Sequence, residues 1–219
     1  MCLIVLAWRV HPEHPLIVAA NRDEFHARPA APAAFWEDHP DILAGRDLEA
    51  RGTWMGVSRA GRFAAVTNYR GAKEPRAIES RGALVARFLS NDHPPKSYVA
   101  ALQKSLYSGF NLLAADGEEL WWMSNRGGEP RRLDPGVYGL GNTLLDAPEV
   151  DHTKKAFAAD LEAGPAVESL FAVLHKARIL NPAYGTRCST VLLKGERTRY
   201  AERSFAADGT EGETLHYEF

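Results

Sequence analysis

Two long apolar segments, separated by a proline-containing turn, begin the chain and limit the folds open to it. Residues 2–10 and 15–21 are rich in Leu, Ile and Val, and Pro12 lies between them. Two such segments joined by a short turn predict an antiparallel hairpin. Both segments are apolar almost throughout, so we expect a sheet that is covered on both faces.

Further along the chain, strand-like segments again come as neighbours and helix-like segments come in two pairs. The predicted strands are residues 53–58, 62–68, 111–115, 119–124, 136–140, 188–194, 198–205 and 213–219. Helices are predicted over 80–91, near 95–106, from Asp151 as N-cap and from Pro165 as first helical residue, and an irregular loop over 28–40. This order lacks the βαβ alternation of a doubly wound sheet. It predicts an α+β fold, a four-layer αββα sandwich of two stacked, mostly antiparallel sheets flanked by helix pairs.

Composition and charge narrow the functional classes. The 219 residues are 45% hydrophobic, which suffices for a substantial core, and with no linker-like tract we predict one domain over residues 1–219. With a net charge of −2, the chain has no overall positive charge that would attract nucleic acid or an anionic membrane. No apolar run approaches the roughly 20 residues that span a bilayer. The N-terminal run lacks a basic flank and a cleavage site, so we expect a cytoplasmic protein with a small-molecule ligand.

The chain has two cysteines, Cys2 and Cys188, and eight histidines. Two cysteines exclude a disulfide framework, and neither has the CxxC partner of a zinc site. The histidines do not recur at metal-binding intervals. The sequence therefore predicts no resident metal.

Cys2 is the strongest candidate for a catalytic residue, because of its position in the chain. A small side chain at position 2 permits removal of Met1, which would give Cys2 a free α-amino group. That amine titrates near pH 7.7–8.0 and a thiol near about 8.5. One residue would then supply both nucleophile and general base. The alternative is a buried cysteine that acts only as a small apolar residue.

Polar residues end several predicted strands. Asn21, Arg22, Asp23 and Glu24 end the second arm of the first hairpin. A turn centred near residues 12–13 would place them across from Cys2. There an arginine would lower the thiol pKa, and a carboxylate would hold the ammonium. The alternative is a solvated strand end with a surface ion pair.

Three more polar residues are candidates for substrate contact. Asn68 and Asn142 each end a predicted strand, and an amide N–H can stabilise a developing oxyanion. Either asparagine is alternatively a turn residue bonded to its own backbone. Arg187 precedes a strong strand, where it would bind a substrate carboxylate or phosphate or, alternatively, lie exposed.

These segments together resemble the NRDE family, also called the transport and Golgi organisation protein 2 family. The resemblance runs nearly end to end. Its segments include Met1-Cys2, Asn21-Arg22-Asp23-Glu24, Gly45-Arg46-Asp47, Gly52-Thr53-Trp54, Val66-Thr67-Asn68, Gly141-Asn142 and Gly185-Thr186-Arg187. The family is similar to N-terminal nucleophile hydrolases of the bile salt hydrolase, penicillin V acylase and acid ceramidase group, which cleave non-peptide amides with an N-terminal cysteine.

The resemblance implies roles for particular residues. It places Cys2 on the nucleophile and Asn68 and Asn142 on the two oxyanion or substrate-orienting asparagines. The Arg-Asn-x-Asp motif of those enzymes matches in two ways. A gapless match puts Asn21 on its arginine and Glu24 on its aspartate. A shift of one residue puts Arg22 on the arginine and leaves no acid at the right spacing.

Two functions follow as expectations. The first is a cysteine N-terminal nucleophile hydrolase that cleaves a non-peptide amide or thioester of a small acylated molecule and needs no cofactor. The alternative is a non-catalytic carrier that binds haem or an acyl-CoA or lipid-like ligand in the same pocket. The resemblance implies this carrier role, through haem trafficking and acyl-CoA and lipid homeostasis in eukaryotic members.

Overall fold

A computed structural model describes residues 2–71 and 77–219 of the chain. Its strands are β1 Leu3–Trp8, β2 Leu16–Phe25, β3 Ala30–Phe35, β4 Ile42–Asp47, β5 Met55–Ser58, β6 Phe63–Asn68, β7 Phe110–Ala115, β8 Leu120–Ser124, β9 Arg131–Arg132, β10 Gly136–Leu140, β11 Tyr184–Lys194, β12 Thr198–Phe205 and β13 Glu211–Glu218. Its helices are α1 Gly82–Leu89, α2 Pro95–Ala100, α3 Asp151–Ala163 and α4 Val167–His175. Short 3-10 turns occur at Lys104–Leu106 and Pro148–Val150.

The described residues form two compact units, each built on one sheet. The first unit contains residues 2–28, 135–141 and 145–219, and the second contains 29–71, 77–134 and 142–144. Neither unit is a continuous stretch of sequence. Each one therefore depends on contacts between segments that are far apart along the chain.

The first unit is a six-stranded sheet in the order β10-β1-β2-β11-β12-β13. Each neighbouring pair is antiparallel. Helices α3 and α4 pack on one face of this sheet. An apolar core fills the space between the sheet and these helices. Every second strand residue contributes to it, since alternate residues share a sheet face. The core contains Val5 and Ala7 of β1, Ile17 and Ala19 of β2, and Phe157 of α3.

The second unit is a seven-stranded meander in the order β3-β4-β5-β6-β7-β8-β9. Helices α1 and α2 pack against its central strands. The helix predicted over 80–91 is present as α1, and its apolar residues Leu84, Val85, Phe88 and Leu89 all face the core. Of the two adjacent tryptophans on β8, Trp122 is buried and Trp121 is partly exposed.

Most predicted elements are confirmed, but the sequence prediction lacks β4 and β9, and the helix predicted near 95–106 ends as α2 at Ala100. Two other errors have a local cause. The prediction of an irregular loop over residues 28–40 is wrong, because β3 lies within it and pairs with β4. Pro32 is tolerated there since β3 is an edge strand, and the register shifts between Ala31 and Ala34 around it. Helix starts also differ: Asp151 is the first residue of α3, and α4 begins at Val167, two residues after Pro165.

The helices are short. Across the described part of the chain, none is long and apolar enough to reach from one side of a membrane to the other.

Candidate active site

The first hairpin places Cys2 beside the polar end of β2, as the sequence predicts. Leu3 pairs with Asn21, so Cys2 lies next to the segment that begins with Arg22. The cysteine is half-buried. Its Sγ donates a hydrogen bond to the backbone carbonyl of Asp23, with an S···O distance of 3.5 Å. The thiol is therefore held in place by the backbone of the strand opposite.

Asp23 is the residue on which several contacts converge. Its backbone carbonyl also accepts a hydrogen bond from the Tyr184 hydroxyl at 3.1 Å. Its buried carboxylate accepts one from the Thr186 hydroxyl at 2.6 Å. Thr186 in turn accepts a bond from the backbone N–H of Ile179 at 2.9 Å. Strand β11 thus fixes both the main chain and the side chain of Asp23.

Burial shifts the pKa of both groups. It raises the pKa of the Cys2 thiol, and the negative charge of Asp23 raises it further. Burial also raises the pKa of Asp23, against the hydrogen bond from Thr186, which lowers it. The resting thiol is therefore protonated at neutral pH and needs a base before it can attack. The predicted base depends on the removal of Met1, which lies outside the described residues.

Asn21 is engaged on the helix-covered face of the sheet. Its Nδ2 donates to the carbonyl of Leu174 in α4 at 3.1 Å, and its Oδ1 accepts from the Ser189 hydroxyl at 2.6 Å. These two buried bonds connect β2 to α4 and to β11. Whether Asn21 also acts on the thiol stays a prediction.

Arg22 projects to the opposite face, since successive strand residues alternate. It is buried and pairs directly with Cys188 on β11. Burial holds the pKa of the Cys188 thiol well above its usual range, and the charge of Glu202 adds to this. Strand β2 separates the two cysteines, so their Cα atoms are two strand spacings apart, about 10 Å. That is too far for a disulfide without movement of the backbone.

Arg187 is the extra residue of a β-bulge, because the register of β11 against β2 shifts between Thr186 and Cys188. Its Nη1 donates to the carbonyls of Phe25, His26 and Arg28 at 3.0, 3.3 and 3.1 Å. The guanidinium thus supports the turn that follows β2. Its predicted role in substrate binding stays a prediction.

Glu24 makes a local contact. Its Oε1 accepts a hydrogen bond from the backbone N–H of Phe25 at 2.8 Å. This bond fixes the carboxylate close to its own main chain. The structure therefore gives each member of the 21–24 segment a different environment, although the four are consecutive.

The other two predicted residues, Asn68 and Asn142, are brought together in the second unit. Asn142 Nδ2 donates to the Asn68 carbonyl at 2.6 Å, and the Asn142 carbonyl accepts from the backbone N–H of Arg70 at 2.6 Å. Asn142 is buried and Asn68 is exposed. One of the two Nδ2 protons of Asn142 remains after this bond. Its assignment as an oxyanion donor stays a prediction.

Sequence reasoning missed three residues that position these groups. Tyr184 and Thr186 support Asp23 and stand in the same segment as Arg187. Asn111 lies fully buried on β7, where its Nδ2 donates to the Thr143 carbonyl at 2.7 Å and to the Thr67 hydroxyl at 3.1 Å. It thereby fixes the residue next to Asn142. The available signal was a single amide within the apolar strand sequence FNLLAA.

The whole pattern can be compared with known proteins. A family model described as Transport and Golgi organisation 2 matches residues 1–183. The chain belongs to this family. The Transport and Golgi organization protein 2 homolog of Bos taurus is 36% identical over 272 aligned residues, covering 100% of this chain and 99% of that protein. The Homo sapiens homolog is 34% identical with the same coverage.

Solved structures show the fold of this Transport and Golgi organisation 2 chain. The Caenorhabditis elegans N-acylethanolamine-hydrolyzing acid amidase ortholog superposes with a TM-score of 0.57 at 12% identity, over 88% of this chain and 92% of that one. A mutant of conjugated bile acid hydrolase from Clostridium perfringens gives 0.61 at 9% identity, over 100% and 97%. The predicted α+β fold of the N-terminal nucleophile hydrolase type is confirmed.

Proposed function

We propose that this chain hydrolyses a non-peptide amide or thioester of a small acylated molecule, with Cys2 as the nucleophile. The observation that carries the proposal is the Cys2 thiol bonded to the Asp23 carbonyl at the start of β1. This arrangement lies on a fold shared with two amide-cleaving hydrolases. The shared fold supports a hydrolytic function, and the thiol supplies a group that can form an acyl-enzyme.

The reaction would proceed in two steps, acylation of the thiol and hydrolysis of the acyl-enzyme. The Cys2 sulfur attacks the acyl carbon, an S–C bond forms, and the C–N or C–S bond to the leaving group breaks. The thiol proton passes to a base and then to the departing amine or thiol. Water next attacks the acyl-enzyme, which releases a carboxylic acid and restores the thiol. Because the thiol pKa is raised, the first proton transfer needs a close base.

The α-amino group of Cys2 is the base in this proposal, available once Met1 has been removed. Asp23 would then have two tasks. Its backbone carbonyl orients the thiol, and its carboxylate holds the ammonium form of the amine. Asn68 and Asn142 are assigned as amide donors toward the oxyanion and Arg187 as the contact for an acidic substrate group. Each of the side-chain roles has its own alanine variant as a test, whereas the Asp23 carbonyl belongs to the main chain and is kept in all of them.

The two cysteines provide a matched experiment. Untagged protein is first analysed by intact mass, which reports whether Cys2 is the leading residue. Wild type, Cys2→Ser and Cys188→Ser are then incubated with an activated acyl ester, and the adduct is located by peptide mass spectrometry. We expect an adduct on Cys2 in wild type and in Cys188→Ser, since the Cys188 thiol is buried with a strongly raised pKa.

Cys2→Ser is expected to carry no adduct while its far-UV spectrum and melting curve match those of wild type. An adduct in Cys2→Ser equal to that of wild type would contradict the proposal. So would retention of Met1 in protein that still turns over substrate, because the proposed base would then be an amide.

A second candidate is a non-catalytic carrier that takes haem or an acyl-CoA or lipid-like molecule as cargo. The feature that favours it is the burial of the Cys2 thiol, which raises the thiol pKa and so weakens the thiol as a nucleophile. Within residues 2–71 and 77–219, no group of three or more His, Cys, Asp or Glu side chains is placed to hold a metal ion. A haem titration followed in the Soret region tests this candidate, and an unchanged spectrum at micromolar haem would count against it.

A further inference from the structure

The helix-covered face of the first unit has a cleft between α4 and the outer strands of its sheet. Its volume is about 220 Å³. Its lining includes Phe171 and His175 of α4, Arg203 and Phe205 of β12, and Glu211 of β13. None of the residues proposed for acyl transfer lines this cleft.

Arg203 lines the cleft and Arg178 lies beside it, and the guanidinium of each is placed over an aromatic ring. The Cζ atom of Arg178 lies 3.6 Å from the centroid of Phe205, and that of Arg203 lies 4.4 Å from the centroid of Phe171. Their side chains are only 5% and 18% exposed. Contact with the face of an aromatic ring orders a guanidinium. The two cations are therefore preorganised rather than mobile.

Some of their N–H groups have partners within the protein, whereas the buried Nε of Arg178 has none. Arg178 Nη2 donates to the Gly209 carbonyl at 2.6 Å. Arg203 Nε donates to the Thr214 hydroxyl at 2.9 Å, and its Nη2 donates to both carboxylate oxygens of Glu168 at 2.9 and 3.0 Å. These bonds anchor the arginines, and none of them involves an Nη1 group.

The two Nη1 groups meet at Glu211 without forming a hydrogen bond to it. Arg178 Nη1 and Arg203 Nη1 each lie 3.7 Å from a carboxylate oxygen of Glu211, and His175 Nδ1 lies 3.8 Å away. A charge-assisted hydrogen bond has a length of about 2.7–2.9 Å. Arg178 Nη1 also has His175 Nδ1 at 3.5 Å. Glu211 thus neutralises the arginines loosely, and its side chain is 48% exposed.

We propose that the cleft binds the carboxylate of a small apolar monocarboxylic acid, which takes the place of the Glu211 carboxylate between Arg178 and Arg203. When Glu211 turns outward, two guanidinium charges and the carboxylate of Glu168 leave a net charge of one. A monoanion balances that charge, whereas a phosphate dianion exceeds it. Phe171 and Phe205 line the cleft but are only 4% and 7% exposed, so they give the rest of the ligand a small apolar contact. The site does not depend on the chemistry of Cys2.

Calorimetric titration at low ionic strength tests this assignment with three probes of similar shape. Phenylacetate carries one negative charge, phenylacetamide none, and phenyl phosphate two. We expect wild type to bind phenylacetate more tightly than either of the others. Glu211→Gln should bind phenylacetate about fivefold more tightly, because it removes the competing carboxylate of an exposed ion pair.

Glu218→Gln is the matched control. It removes the same charge from the same strand, at a position where the carboxylate pairs with Arg197 at 2.8 Å and does not line the cleft. Its affinity for phenylacetate should equal that of wild type. An equal gain in both variants would overturn the proposal, since the effect would then come from net charge. Tighter binding of phenyl phosphate, equal binding of phenylacetamide, or no heat with wild type and Glu211→Gln at millimolar ligand would also overturn it.

Discussion

Breaking the buried contact between Asn21 and Ser189 tests how the first unit holds its polar strand. Both residues are 2% exposed, and the Ser189 hydroxyl donates to Asn21 Oδ1 at 2.6 Å. Asn21→Leu removes this bond and the bond to the Leu174 carbonyl. The Leu174 carbonyl still accepts a hydrogen bond from the backbone N–H of Ala177 at 3.0 Å, so the main loss is that the Ser189 hydroxyl no longer has its partner. One lost bond and one orphaned buried hydroxyl together lower the free energy of unfolding by about 2–4 kcal/mol.

Ser189→Ala leaves Asn21 Oδ1 without this donor and should lower the free energy of unfolding by about 1–3 kcal/mol. The double variant orphans neither group. It should therefore lose only about 1–2 kcal/mol, so the single losses do not add. Wild type, the two single variants and the double variant form a double-mutant cycle. The free energy of unfolding of each is measured by urea denaturation followed by tryptophan fluorescence, since the chain has five tryptophans.

Thr190 supplies the control, because it lies on β11 next to Ser189 and projects to the opposite face. Its hydroxyl contacts Glu202 at 3.4 Å and not Asn21. The cycle of Asn21→Leu with Thr190→Val should be additive to within about 0.5 kcal/mol. If the losses in free energy of unfolding of Asn21→Leu and Ser189→Ala also add up in their double variant, the structural role assigned to this bond is wrong.

Two further predictions concern Asp23 and Asn111. The raised pKa of Asp23 means that the folded state binds its proton more tightly than the unfolded state, so this contribution to stability is present below about pH 3.9 and is lost as pH rises through the raised value. Asp23→Asn should remove that decline in urea midpoints between pH 4 and 8. It should also move the pH midpoint of Cys2 alkylation downward, because the Asp23 charge raises the thiol pKa; an unmoved alkylation midpoint would refute this. Asn111→Leu removes the hydrogen bonds to the Thr67 hydroxyl and the Thr143 carbonyl, which should lower the free energy of unfolding by about 1–3 kcal/mol and slow Cys2 acylation through Asn142. An unchanged acylation rate would separate Asn111 from the reaction.

Much of the fold could be predicted because its signals are local. The first hairpin follows from two apolar segments around a proline turn, and the observed pairing of Leu3 with Asn21 places Cys2 where the turn position predicted. Helix α1 follows from the spacing of its four buried apolar residues. Strand β3 escaped prediction because the sequence reports a proline but not whether the strand around it lies at an edge.

The candidate site shows what local signals omit. Within the 21–24 segment, alternation puts Asn21 and Arg22 on opposite faces, but only the register against β11 decides which face meets α4. A shift of one residue would exchange these environments. Arg187 looks like an exposed residue before a strand until the bulge turns its guanidinium onto the carbonyls after β2.

By itself the sequence determined the hairpins, the helices and a thiol beside a run of polar residues, because periodicity and turn chemistry act over a few residues. The tertiary structure alone decided that Asp23 anchors the thiol, that Asn21 bonds to α4, and that Asn111 holds the residue after Asn142. These contacts join positions between 21 and 153 residues apart. Such contacts form only after the sheets have assembled, since strand register and burial select the partner of each polar group.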